Sequence, residues 1–171
     1  MKIIEAMKML KQHAVKVSDL QDKIAQHCAL LDTETPMYGE NQAAQIAEWL
    51  QSVRDTVQEI ARLRVAIQHT NMVTNVTIEL GGQQVTKTIA EWIHWRRELA
   101  TMMMHTVMKL SNRGLREGTV KSPTTGELTL VKIRYFFDPR KRDEAIELWR
   151  SEPSKIDSTL EIVNAVTNLM I

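Results

Sequence analysis

The chain predicts a mainly α fold: a long antiparallel helical hairpin, a third helix and C-terminal helices, with two small β-hairpin excursions. Three observations carry that expectation. Apolar residues recur every seven positions over two long stretches of the first 71 residues. A break rich in Pro, Gly and acidic residues separates those stretches. Two later segments switch to alternation around glycine-containing turns. A chain of 171 residues without a long linker is expected to form a single domain, residues 1–171.

The first helix is expected over residues 1–32, where Ile3, Leu10, Val17, Ile24 and Leu31 recur every seven residues. Met7, Ala14, Gln21 and Cys28 fill the complementary row, so both rows share one stripe of a helix. The segment DTETPMYGEN, with Pro36 and Gly39, marks the break. A second helix is expected over 41–71, with Ile46, Val53, Ile60 and Ile67 in register and Leu50 and Val57 between them. Arg64 interrupts that row, and Leu63 takes up its face. Each helix would run about 45 Å, and a short loop folds the two back antiparallel on matching stripes. Apolar residues off the stripe, among them Ile4, Leu20 and Leu30, call for a further partner.

Residues 73–87 predict the first β-hairpin: Val76, Ile78 and Leu80 alternate with polar residues, and Gly81-Gly82 tolerate the positive φ of a tight turn. An isolated strand pair is marginal in water, so it must lie on something. Helix three is expected over 88–112, opened by Thr88 and Glu91 in the reciprocal capping pattern. Ile89, Trp92, Leu99, Met103 and Leu110 make one apolar row on it, and Ile93, Ala100, Met104 and Val107 a second. A second hairpin is expected over 117–137, turning at Pro123–Gly126, with Val131, Ile133, Tyr135 and Phe137 on one face. Asp138-Pro139 then starts the C-terminal helices, 139–170, interrupted near Pro153.

Composition narrows the function classes. The sequence holds 22 Lys and Arg against 21 Asp and Glu, so whole-chain charge supplies no general attraction to phosphate backbones, and nucleic acid is not an expected partner. No apolar run approaches a membrane span, and the start, MKIIEAMKML, is too broken by charge for a signal peptide. One cysteine, Cys28, allows no internal disulfide and fits a reducing compartment, so a cytoplasmic location is expected, with a virion as the alternative. Ten methionines suit irregular packing between helices more than chemistry.

The segments MKIIEAMKMLKQ, EIARLRVAIQHTNMVT, the Gly-Gly turn before TKTIAEWIHWRREL, and IDSTLEIVNAVTNL occur in that order. Together they resemble the septicolysin-like family of small helical proteins. The resemblance covers most of the chain and rests on spacing and polarity, with no catalytic signature. It departs at 115–137, where a longer hairpin is inserted, and at Pro153. It implies a helix-rich, self-associating protein and no defined activity.

For chemistry, Glu91 and His94 are three apart on a helix, a spacing used by metal sites in bundles. Such sites need a second pair and further glutamates, so capping and surface polarity account for these two residues more simply. His13, His27, His69, His94 and His105 are scattered, and Met102, Met103 and Met104 point around a helix and cannot converge on one ion. Cys28, in the seam, reads as a small hydrophobe. Arg140-Lys141-Arg142 is interrupted by nearby acids and reads as a solvated helix start. No cofactor is expected.

Large aromatics anchor interfaces, so the expected contact residues are Trp92, Trp95, Met102, Met103, Met104, Tyr135, Phe137 and Trp149, with one of the paired tryptophans in the core. Trp49 completes the tryptophan set. The function expected is a non-enzymatic structural module that assembles with copies of itself and with other structural proteins. Alternatives are an accessory or stabilising component of a phage capsid or tail, and a helical metal-dependent enzyme using Glu91 and His94.

Overall fold

The computed structural model describes residues 1–170. It is mostly helical, with two small two-stranded antiparallel sheets. The elements are α1 (Ile3–His27), α2 (Gln42–Val73), β1 (Asn75–Leu80), β2 (Gln83–Thr88), α3 (Ile89–His94), a π-helical turn (Trp95–Leu99), α4 (Ala100–Met108), β3 (Gly118–Lys121), β4 (Leu128–Val131) and α5 (Pro139–Val166). The chain gathers into two compact units. One comprises Met1–Val76, Thr88–Ala90 and the chain from Leu160 onward; the other comprises Thr77–Lys87 and Glu91–Thr159.

In the first unit, α1 and α2 pack on one another. His27 ends α1, and its carbonyl accepts from the Gln42 side chain at 2.8 Å, where α2 begins. The His27 ring also lies against Trp49 (5.9 Å) and Tyr38 (6.1 Å), so the end of α1 meets the beginning of α2 and the pair is antiparallel. Of the expected seven-residue row, Ile3, Leu10, Val17 and Ile24 turn inward; α1 ends at His27, short of the expected residue 32, and the fifth member, Leu31, is exposed beyond it. Its companion row does not match the expected one. Ala6, His13, Leu20 and His27 face inward, while Met7, Ala14, Gln21 and Cys28 are exposed. The same one-residue offset occurs on α2: Trp49, Thr56, Leu63 and Thr70 are buried, whereas Leu50, Val57 and Arg64 are exposed. Residues three and four positions on from a seam residue flank it almost equally, and the helix that packs there selects between them.

The far end of this hairpin is closed by the C-terminal segment. Lys2 and Asn168 form an antiparallel bridge, and the Leu169 N–H donates to the Met1 carbonyl at 2.8 Å. Glu5 accepts the Lys2 backbone N–H at 2.7 Å, satisfying a free donor at the start of α1. The Thr74 carbonyl accepts the Ile89 N–H at 3.0 Å, so the end of α2 is tied to the start of α3 and the strand pair between them closes at its base.

In the second unit, the first hairpin lies along α5. Thr77, Ile78 and Glu79 face Ser154, Lys155 and Ser158 across a shallow groove of about 410 Å³. Ile78 and Leu80 are buried, and a side chain at Gly81 would meet Leu148 at 3.6 Å. Gly81 and Gly82 have φ of 58° and 78°, the left-handed pair that a tight hairpin turn needs. Among the described residues, α5 runs unbroken through Pro153 instead of stopping there. Pro153 has no N–H for the Trp149 carbonyl, so the helix tolerates one missing rung.

Helix three also departs from expectation, ending at Met108 and widening into the π turn at Trp95–Leu99. The wide turn adds a residue to one revolution and shifts the inward row. Ile89 and Trp92 are buried before it; after it Ala100 is buried and Met104 and Val107 are half-buried. Leu99, Met103 and Leu110 are left exposed. The second hairpin is shorter than the expected 117–137, because β4 ends at Val131. Tyr135 and Phe137 therefore stand in irregular chain, not in a strand.

Candidate functional site

The tryptophans expected at an interface are largely internal. Trp92 is 0% exposed and is core, so it presents no ring to a partner. Trp95 and Trp149 are half-buried, with ring centroids 6.0 Å apart, and Trp92 and Trp95 meet edge to face at 6.5 Å. Lys87 Nζ sits 5.0 Å from the Trp95 centroid. The Trp95 indole donates to Glu152 Oε2 at 2.9 Å, and Glu152 is only 4% exposed. Arg96, the next residue of the π turn, pairs with Asp157. These two side-chain links from α5 hold the wide turn, and neither Glu152 nor Lys87 was visible as a partner from sequence spacing.

The remaining expected contact residues divide. Met102, Met103 and Tyr135 are exposed; Met104 and Phe137 are half-buried. Tyr135 and Phe137 pack edge to face at 5.5 Å. Reading 131–137 as one strand puts Phe136 on the far face and leaves it out, yet it is the most exposed of the described large hydrophobic residues, at 89%.

The β3–β4 ribbon is an uncovered apolar feature of this unit, with every strand residue exposed. Gly118 pairs with Val131, Thr119 with Leu130, Val120 with Thr129 and Lys121 with Leu128. Cross-strand partners share a face, so Val120 and Val131 lie on one side and Leu128 and Leu130 on the other. The Ser122 N–H donates to the Glu127 carbonyl at 2.8 Å, which sets the alternation of the ladder. Counting from that pair, the backbone groups of Leu128 and Leu130 point away from β3. The outer edge of β3 carries Lys121, a charge that discourages strand addition, whereas the outer edge of β4 carries two leucines.

Glu91 and His94 are both exposed on α3, and among the described residues no three His, Cys, Asp or Glu side chains come together. His13 and His27, expected beside the seam, are part of its inward face; Cys28 is exposed at the end of α1, not in the seam. The hydrogen bonds from Arg62 at 2.9 and 3.0 Å hold the Glu59 carboxyl below the ordinary glutamate range. No helix among the described residues is long and apolar enough to cross a membrane. Compared with known proteins, the chain matches no family model, no curated protein and no solved structure.

Proposed function

We propose that this chain is a non-enzymatic helical module that associates with copies of itself. The observation that carries this reading is the uncovered β3–β4 ribbon, a two-stranded sheet that has apolar side chains on both faces and an uncharged outer edge on β4. A ribbon of this kind is marginal alone and gains when its open edge is paired. The septicolysin-like resemblance implies the same behaviour.

The edge of β4 is self-complementary. Placed antiparallel across a two-fold axis, Leu128 stands opposite Leu130 of the partner subunit, and Thr129 stands opposite Thr129 of the partner subunit. The outward backbone groups of Leu128 and Leu130 then meet in bonded pairs, and four leucines collect on one face. Two hairpins become a four-stranded sheet.

The test is mass in solution by sedimentation equilibrium. The wild-type chain is expected at a multiple of 19.6 kDa. Leu128→Lys with Leu130→Lys, changes at exposed positions, places like charges across the pairing and should yield monomer. A wild-type monomer at high concentration would end the reading. An oligomer unchanged by the two lysines would remove the β4 edge as the contact.

A further inference from the structure

The chain as a whole is nearly neutral, but its charge is not evenly spread. Residues 109–142 hold nine Lys and Arg and three Asp and Glu; the rest of the chain holds thirteen against eighteen. Segregation of this kind is the electrostatic footprint that a whole-chain sum conceals.

The structure gathers part of that segment around one cavity of about 320 Å³. Lys109, Arg113 and Arg134 supply cations to its wall, and Tyr135, Phe136 and Phe137 supply aromatic rings; no carboxylate lines it. None of those three cations has an acidic partner among the described residues. The Arg134 guanidinium lies over the Phe136 ring at 5.3 Å, and Arg142 lies over Phe137 at 5.9 Å. Arg142 is fixed there, because it donates to the Leu110 carbonyl at 3.0 Å and pairs with Asp143. Arg113 has φ of 57°, the one non-glycine residue with positive φ among those described, so the turn that brings it to the cavity is held in an uncommon conformation.

We propose that this cavity binds the nucleotide units of a single-stranded nucleic acid. A nucleotide presents a flat π-face and a phosphate within a few ångströms of each other. The cavity offers the complement: aromatic rings for stacking, and cations at the rim for the phosphate. A duplex shows only base edges and keeps its π-faces stacked, so it leaves the rings without a partner. A lipid headgroup engages the cations and gives the rings no flat partner to stack on. Three cations in one cavity wall exceed what a single phosphate needs, which favours a polymer over a free nucleotide. This inference does not depend on self-association.

The experiment is fluorescence anisotropy of the full chain with a labelled oligothymidylate of about twenty nucleotides, repeated with a duplex of equal length, with thymidine monophosphate as competitor, and with phosphatidylserine vesicles. Expected is binding to the single strand that weakens as salt rises, with weaker binding to the duplex. Phe136→Ala, at an exposed position, should cost about 5- to 150-fold in affinity and leave the salt dependence unchanged. Arg134→Gln should lower the slope of log K against log salt by about 0.7. No binding at low salt overturns the proposal, and so does duplex binding equal to single-strand binding with Phe136→Ala silent. Competition by the mononucleotide at equal affinity overturns the polymer as ligand. Retention on vesicles without strand binding assigns the surface to lipid and overturns it as well.

Discussion

Trp95 and Glu152, 57 residues apart, are joined by a 2.9 Å hydrogen bond from the indole nitrogen to a carboxylate that water barely reaches. The bond links the π turn to α5 in the core that surrounds Trp92. A buried acceptor that loses its donor incurs the full desolvation penalty, while a replacement that keeps an acceptor does not. Trp95→Phe should therefore lower unfolding free energy by about 1–3 kcal/mol. Glu152→Gln, whose amide oxygen still accepts, should cost less. Urea titrations of the two variants check the order, and equal losses would remove the bond as the cause.

The offset of the helical seam is testable through two leucines on α2. Leu63 is 1% exposed and belongs to the inward row, whereas Leu50 lies on the outward row suggested by periodicity. Leu63→Ala should cost about 2–5 kcal/mol, the range for a truncated core leucine. Leu50→Ala should change stability in the monomer by about 0.5 kcal/mol or less. Thermal denaturation at matched concentration measures both, and a larger loss at Leu50 would restore the periodicity-based assignment.

Thr70 is fully buried, and its hydroxyl bonds in two directions. It donates to the Ala66 carbonyl at 2.8 Å and accepts the Met170 N–H at 2.9 Å. Thr70→Val keeps the shape and removes both bonds. It should cost about 1–2 kcal/mol and speed hydrogen exchange at the Met170 amide, while Thr70→Ser keeps that amide protected. Exchange measured by NMR distinguishes them; an unchanged Met170 rate in the valine variant would contradict the geometry.

Glu59 gives the pH dependence. Its bonds to Arg62 stabilise the charged form, so its folded pKa lies below the unfolded value. The pair's contribution is complete above the ordinary glutamate pKa and is lost as pH falls through the depressed one. Because the group is exposed, the effect on stability is small and screened by salt. An NMR titration should find the Glu59 midpoint low in the wild type and shifted upward in Arg62→Met.

Much of the fold was legible because it rests on local rules. The seven-residue rows specify two helices and their inward seam, since apolar residues at that spacing can share a face only in a helix. The alternation at Val76, Ile78 and Leu80, with two glycines following, specifies the first hairpin, and Asp138-Pro139 marks the start of α5: the Asp138 carboxylate accepts the Arg140 N–H at 2.9 Å. The candidate contact surface was legible only in part. Residue type drew attention to Trp92, and burial removed it; the edge leucines of β4 and the ring of Phe136 escaped notice because periodicity does not report where a strand stops.

What the sequence by itself determined is therefore which segments are helices, which are strand pairs, and which row of each long helix turns inward. Only the tertiary structure decided which neighbouring row joins that seam, that helix three widens at Trp95–Leu99, and that α5 continues through Pro153. The reason is common to all three. Residues three and four positions along a helix flank a seam residue almost equally, and a wide turn or a missing rung costs only a few kcal/mol. Differences that small are settled by what packs against the helix: α2 against α1, and Glu152 and Asp157 of α5 against Trp95 and Arg96.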